Sequence, residues 1–130
     1  MAKTVQRSKK TQQVDVTIKP VDKMGYYTGE HAVPGIHFIY AGKELELTTL
    51  GLNVLQLEPN CDKYPEHDHK KNGEEELYIL TEGSATLQAG DETFDVTPGV
   101  LVRVGAQVTR KFVAGEKGAT IVALSNMPDE

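Results

Sequence analysis

The stretch Cys61–Gly83, CDKYPEHDHKKNGEEELYILTEG, decides how the rest of the chain is interpreted, because it concentrates side chains that bind metal ions. His67 and His69 stand one residue apart, and three consecutive acids follow at 74–76. In an extended backbone, residues i and i+2 project to the same side, so we expect the two imidazoles to face one direction. Two imidazoles and a nearby carboxylate suit a divalent first-row metal ion, bound at about 2.0–2.2 Å.

The same stretch resembles the first motif of the cupin superfamily. In that motif a glycine and five residues precede His-x-His, and a glutamate and six residues precede a second glycine. The resemblance implies that His67, His69 and Glu76 are the metal ligands, since six residues separate Glu76 from Gly83. The chain departs from the motif in two places: Cys61 replaces the leading glycine, and the gap between His69 and Glu76 is longer than usual.

The extra residues of that gap, 70–73, have the sequence KKNG and are interpreted as a small inserted turn. If the turn is tighter, Glu74 or Glu75 would supply the carboxylate instead of Glu76. A different interpretation is a charged, solvated loop, because acids and lysines flank both histidines. A pair of histidines by itself is weak evidence for a metal site. The six-residue spacing between Glu76 and Gly83 strengthens the metal hypothesis.

The second cupin motif is only partly present. Pro98-Gly99 begins it well, but Gly105 stands where the family has proline, and Gln107 stands where it has glycine. Arg110 occupies the position of the family's fourth metal ligand, a histidine. A guanidinium has no free lone pair and cannot bind a metal ion. The resemblance covers roughly residues 45–125, and the fourth ligand of the family is absent.

Arg110 allows three hypotheses. It would hold an anionic ligand with two parallel hydrogen bonds beside a metal ion, or it would pair with Glu76 and remove the need for a metal. In the third, its stem covers the outer surface of the barrel. We expect Tyr64, Tyr78 and Gln107 to help line the ligand pocket, and Tyr78 shares a strand face with Glu76 if both are on one strand.

Three further residues have side chains of types that bind metal ions. His37 would replace the missing histidine if it faced into the barrel, although a lone histidine on a strand is more often structural. His31 is expected in an exposed loop. Cys61 is expected to be a buried thiol rather than a soft metal ligand, because free cysteine behaves as a small apolar side chain.

Short apolar runs separated by turn residues extend over most of the chain, and no sustained helical periodicity is present. This pattern predicts an all-β sandwich or barrel. The resemblance makes that prediction more specific: a double-stranded β-helix, the jelly roll of the cupin barrel. About ten strands are expected, at 14–18, 36–40, 44–47, 50–57, 77–80, 85–88, 93–96, 101–104, 110–113 and 120–124, with a hairpin turn at 89–91.

Length and charge predict one domain with a terminal arm. The 130 residues carry a net charge of −5, with four basic residues and no acid in the first ten. We expect a flexible basic arm at 1–12, a single barrel domain at 13–126 and an acidic tail at 127–130. The acidic body argues against nucleic-acid binding.

A single cysteine, no long apolar run and no secretory signal are typical of a cytoplasmic protein that does not enter a membrane. Apolar residues on both faces of 50–57 suggest a subunit contact, and a homodimer is expected. The resemblance implies a divalent metal (Fe, Mn, Ni or Zn) and a small, anionic ligand, with dioxygenase-like or isomerase-like chemistry. The alternative is a metal-free binding or sensing module anchored by Arg110, so the sequence does not decide whether the chain is an enzyme.

Overall fold

The computed structural model describes residues 14–126, and the predicted arm at 1–12 and tail at 127–130 lie outside the described residues. Six strands form the domain, with one helical turn, α1 (Ala41–Glu44), and a 3-10 turn at Val21–Lys23. The strands are β1 (Ile36–Ile39), β2 (Gly51–Leu57), β3 (Glu76–Ala89), β4 (Glu92–Val96), β5 (Leu101–Val104) and β6 (Arg110–Ser125). All pairs are antiparallel, so the all-β prediction is confirmed.

Two of the strands are long and join runs that the sequence pattern separates. β3 contains both 77–80 and 85–88, and β6 contains both 110–113 and 120–124. The glycine-containing run at 115–118, GEKG, separates the two strands expected at 110–113 and 120–124 and suggests a turn, but the structure shows no turn there. Gly83 pairs with Ala119 and Ala85 pairs with Ala114, so 115–118 lies opposite Ser84 as a bulge. A bulge bends a strand without ending it, which the glycine pattern alone does not distinguish from a turn.

These two bent strands connect the two halves of the barrel. The first part of β3 pairs with β5 and with the end of β6, and its second part pairs with β4 and with the start of β6. The sheet order is β1-β2-β6-β3-β4, with β5 on β3. The predicted hairpin between β3 and β4 is confirmed. The start of β6 and the start of β3 both border the segment that carries His67 and His69.

The predicted strand at 14–18 is wrong. Its residues form no ladder, and Val14, Val16 and Ile18 are exposed. A strand needs a free sheet edge as well as an alternating pattern. The edge of β1 is contacted instead by a later residue, because the backbone N–H of Tyr27 donates to Phe38 O at 2.7 Å.

The predicted strand at 44–47 is also wrong. Residues 41–44 form a helical turn, in which Leu45 N donates to Ala41 O at 3.0 Å. Glu46 then adopts φ 64°, which is incompatible with an extended strand. The alternation of leucine and glutamate arises here from a tight turn that packs Leu45 against the core.

Two hydrophobic clusters lie on opposite faces of β2. Leu55 and Leu57 belong to the larger cluster around Phe112, whereas Val54 packs with Ile39 and Ala41 in the smaller one. The apolar residues on both faces of β2 are therefore covered within the chain, by the barrel core and by α1. No helix among the described residues is long and apolar enough to cross a membrane.

Candidate metal centre

The histidine segment is held by backbone hydrogen bonds to the residues around Arg110. His67 N donates to Arg110 O at 3.1 Å, and Arg110 N donates to His67 O at 2.9 Å. His69 N donates to Ala106 O at 2.9 Å. These bonds form an isolated antiparallel bridge at the start of β6, so both histidines are fixed on its border. The bridge is consistent with the extended backbone that the i, i+2 spacing of the two histidines led us to expect.

The residues between His69 and Glu76 form the predicted inserted turn. Gly73 N donates to His69 O at 2.8 Å, and Gly73 adopts φ 70°, a conformation that favours glycine. The turn returns the chain so that Glu76 begins β3, opposite Val104 of β5 and Ser125 of β6. A loop therefore supplies the two histidines, and the first residue of a core strand supplies the carboxylate.

The three predicted ligands converge. One ligand atom from each of His67, His69 and Glu76 lies within 4.8 Å of the others. Glu76 Oε1 is 3.3 Å from His69 Nε2 and 3.9 Å from His67 Nε2. His69 Nε2 is buried and has no hydrogen-bond partner among residues 14–126. An imidazole nitrogen in that state is available as a lone-pair donor, so these residues fit a divalent metal ion.

Glu74 contacts Nδ1, the other ring nitrogen of His69. Its Oε1 lies 3.5 Å from His69 Nδ1, and Asn72 Nδ2 donates to the same oxygen at 3.2 Å. Glu74 is 6 % exposed, so this contact is shielded from water. A carboxylate on Nδ1 fixes the ring orientation and leaves Nε2 for a metal. Glu74 is thus placed to orient His69, a role that the sequence did not reveal.

Arg110 points inward and is 0 % exposed. Its Nη1 donates to Glu76 Oε1 at 2.9 Å, and its Nη2 donates to Gly105 O at 2.7 Å. This is the predicted pairing with Glu76, and the surface position considered for Arg110 is excluded. Both terminal nitrogens of the guanidinium already have protein acceptors. The guanidinium Nε is buried and has no hydrogen-bond partner among residues 14–126. Because the side chain is 0 % exposed, a ligand anion would reach the guanidinium only if neighbouring groups moved.

The electrostatics of the cluster follow from this pairing. Burial acts to raise the pKa of Glu76, but the contacts with His67 and Tyr78 and the nearby positive charges outweigh it, and the pKa is lowered. The Glu76 carboxylate in turn raises the pKa of His67, against the opposing effect of burial. Glu76 is therefore an anion at neutral pH, as a metal ligand must be.

Two tyrosines lie behind the carboxylate. The Tyr78 hydroxyl donates to Glu76 Oε1, and the Tyr64 hydroxyl is 3.4 Å from that of Tyr78. Burial raises the pKa of Tyr64 to about 12 and also raises the pKa of Tyr78. Both phenols therefore stay neutral and act as hydrogen-bond groups.

A cavity of about 320 Å³ lies beside the metal cluster. His67 belongs both to its lining and to the cluster, and Tyr64 lines the cavity as well. The cavity is otherwise lined by β1, by Leu55 of β2 and by the loop at 27–33. Alternate residues of β1, Ile36 and Phe38, line it together with Tyr40. That i, i+2 spacing was visible in the sequence, but the cavity depends on packing between distant segments.

The remaining candidates lie outside the cluster. Gln107 is exposed in the connection between β5 and β6, so its predicted role in ligand binding stays a prediction. His37 Nε2 lies 3.3 Å from Glu58 and is not one of the three clustered ligands. His31 is exposed, and Cys61 is a buried free thiol, as expected.

Comparison with solved structures identifies the fold. A cupin-superfamily sugar phosphate isomerase from Silicibacter pomeroyi superposes with a TM-score of 0.72 at 20 % identity, over 82 % of this chain and 73 % of that one. A sugar phosphate isomerase from Acidithiobacillus ferrooxidans, described as putative, gives 0.61 at 20 % identity, covering 85 % and 75 %. KdgF from a Halomonas species gives 0.60 at 16 % identity, covering 80 % and 94 %.

No protein-family model and no curated protein matches the sequence. The structural matches show the fold alone: this chain has the all-β jelly-roll barrel fold of the cupin structures. The resemblance carried by 61–83 is confirmed at that level, and the reaction is a separate question.

Proposed function

We propose that this chain is a cupin-fold metalloprotein that holds a divalent first-row metal ion on His67, His69 and Glu76 and binds a small molecule beside it. The observation that carries the proposal is the buried Nε2 of His69, which makes no hydrogen bond among residues 14–126 and lies 3.3 Å from the Glu76 carboxylate. Three protein ligands leave coordination positions free for water or a substrate. Two histidines and one carboxylate form the facial triad typical of Fe(II) sites, and they also suit Mn, Ni and Zn.

The residues around the ligands have separable roles. A bound divalent ion would supply Lewis-acid polarisation of a ligand oxygen. Glu74 orients His69, the Tyr78 hydroxyl holds Glu76, and the apolar cavity wall limits the water near the cluster. The fold neighbours include sugar phosphate isomerases and an oxalate decarboxylase, so isomerase-like and decarboxylase-like reactions are both chemistries found on this fold.

Metal analysis of untagged protein tests the proposal. We expect about one ion per chain after loading with Fe, Mn, Ni or Zn and dialysis, because three ligands converge. His69→Ala should abolish retention, whereas His37→Ala, which removes a histidine outside the cluster, should leave it unchanged. Less than about a tenth of an ion per chain in the parent protein would refute metal binding.

A second candidate is a metal-free module that binds or senses a small acid. The fully buried pair of Arg110 and Glu76 favours it, because Arg110 neutralises the carboxylate without a metal. A thermal-shift screen of small carboxylic acids on chelator-treated protein tests this function. Stabilisation that disappears in Arg110→Ala would support it, and hits that are unaffected by that substitution would exclude it.

We also propose a cytoplasmic location. The support is the single buried cysteine, which forms no disulfide within the chain and suits a reducing compartment. Immunoblotting of cell fractions tests the location, and recovery with the periplasmic or secreted fraction would contradict it.

A further inference from the structure

The cavity beside His67 differs in character from a site built for a charged ligand. Its wall consists largely of aromatic and aliphatic side chains: Tyr27, Ile36, Phe38, Tyr40, Leu55 and Tyr64. The rings are already arranged edge to face, with Phe38 and Tyr40 centroids 4.9 Å apart and Tyr27 and Tyr40 centroids 6.2 Å apart. Such a wall stabilises a ligand by burying apolar surface against aromatic and aliphatic side chains.

No lysine, arginine, aspartate or glutamate lines this cavity in the part of the chain that the structure describes. Two histidines, His31 and His67, are the lining residues that can carry a positive charge. The His31 side chain is 82 % exposed and lies 3.4 Å from Glu30, and His67 faces the Glu76 carboxylate. Arg110 is fully buried and does not line the cavity. A phosphate or dicarboxylate would lose hydration along a wall without lysine or arginine, and only His67 and the proposed metal ion, at one end of the cavity, would offset its charge.

Two polar residues of the lining, His67 and Tyr64, connect the cavity to the metal cluster. His67 contributes to both, and the Tyr64 hydroxyl reaches Tyr78, which is hydrogen bonded to Glu76. A volume of about 320 Å³ is at the small end for ligand pockets, which run from about 300 to 1,000 Å³. It matches a single ring with a short substituent.

We infer that the cavity binds a small, neutral molecule with a ring-shaped apolar body and one oxygen-bearing end directed at His67. The inference rests on the proposed function, since it names the class of ligand for that same site. It replaces the anionic ligand expected from the sequence. It also separates this chain from the fold neighbours that are named for sugar phosphates.

Fluorine NMR with 4-fluorobenzyl alcohol as the neutral probe tests the inference, with ribose 5-phosphate as the charged competitor. Spectra are recorded on zinc-loaded protein and on chelator-treated protein. We expect a saturable shift with the alcohol and no displacement by the phosphate. Val33→Trp should weaken binding at least about tenfold by filling the cavity. The matched control is Thr28→Trp, which adds the same ring to an exposed position of the same loop outside the lining.

Circular dichroism first establishes that both variants fold, and Ala32→Trp, also in the lining, replaces Val33→Trp if that variant does not. Absence of a saturable shift, displacement by ribose 5-phosphate, or equal binding by a folded cavity-filling variant would each overturn the inference. A parallel zinc titration reports on the metal site. If zinc is not retained while the alcohol still binds in the cavity, the metal proposal fails and the ligand class stands.

Discussion

Arg110 and Arg103 form ion pairs with two consecutive acids where β3 begins, but the two pairs differ in their exposure to solvent. Arg110 pairs with Glu76 at 0 % side-chain exposure, whereas Arg103 pairs with Glu75 at 69 % exposure. Removing one member of a buried pair leaves an uncompensated charge in a poorly solvated place. An exposed pair is screened by water and contributes little.

We therefore expect Arg110→Met to lower the free energy of unfolding of metal-free protein by about 3–5 kcal/mol. The control, Arg103→Met, should change it by less than about 1 kcal/mol. Urea denaturation of both variants gives the comparison. Metal should bind more tightly to Arg110→Met, because a cation next to the shared carboxylate is removed. Equal, small effects in the two variants would show that Arg110 is not buried against Glu76.

The pH dependence of metal-free protein should report on His67. Its raised pKa means that the stabilisation is fully present below the ordinary value of 6.5 and is lost as the pH rises through the folded value. The lowered pKa of Glu76 means that its contribution is present above 4.5 and is lost as the pH falls through the folded value. The destabilisation caused by His67→Ala should thus be largest between pH 4.5 and 6.5.

Urea denaturation of the parent and of His67→Ala at a series of pH values, with a chelator present, measures this difference. A destabilisation that keeps growing as the pH rises above the His67 pKa would contradict a raised pKa for His67 in the folded protein.

At the scale of elements, the bend shared by β3 and β6 depends on a close backbone crossing. Gly83 adopts φ 80°, and a Cβ there would lie 1.9 Å from Gly118 O. Gly90, at the tip of the β3–β4 hairpin, adopts φ 59° with no heavy atom within 4 Å of a Cβ. The two glycines share a left-handed backbone but differ in the space around them.

Gly83→Ala should lower the free energy of unfolding by about 3 kcal/mol or more, because the left-handed backbone alone costs about 1–2 kcal/mol and the main-chain oxygen cannot move aside easily. Gly90→Ala should cost only about 1–2 kcal/mol. Thermal or urea denaturation of both variants separates the two contributions. Equal losses would mean that the crossing between Gly83 and Gly118 is looser than the structure shows.

At the scale of the whole molecule, the homodimer expected from the sequence stays a prediction. The chain covers both faces of β2 internally, which removes part of the reason for expecting a partner there. Leu50, immediately before β2, remains 44 % exposed, and Val14, Val16 and Ile18 are exposed in an alternating row. Apolar side chains grouped on a surface are typical of an interface.

We expect sedimentation equilibrium to give a homodimer of the 14.3 kDa chain. Leu50→Glu should shift the equilibrium toward monomer, because a charge would be buried at the contact. Leu101→Glu is the control, since this leucine is 64 % exposed and lies on β5, outside the predicted contact. A mass near 14.3 kDa for the parent protein would contradict the dimer.

The sequence by itself determined the β class and the three candidate ligands. Alternating apolar residues and frequent turn residues are local properties, and the resemblance of 61–83 to the first cupin motif selected His67, His69 and Glu76. The inserted turn at 70–73 was also predictable, because Asn-Gly is a local turn signal. Local patterns did not distinguish the bulge at 115–118 from a turn, or the alternation at 14–18 from a paired strand.

Only the tertiary structure decided what surrounds the ligands. The burial of Arg110 against Glu76, the contact of Glu74 with His69 and the aromatic cavity all join residues that are distant along the chain or that lie on different segments. Those contacts depend on which faces of β3 and β6 pack against other segments where the two strands bend. A one-residue change of register reverses the face of every side chain on a strand, so no local pattern contains that information.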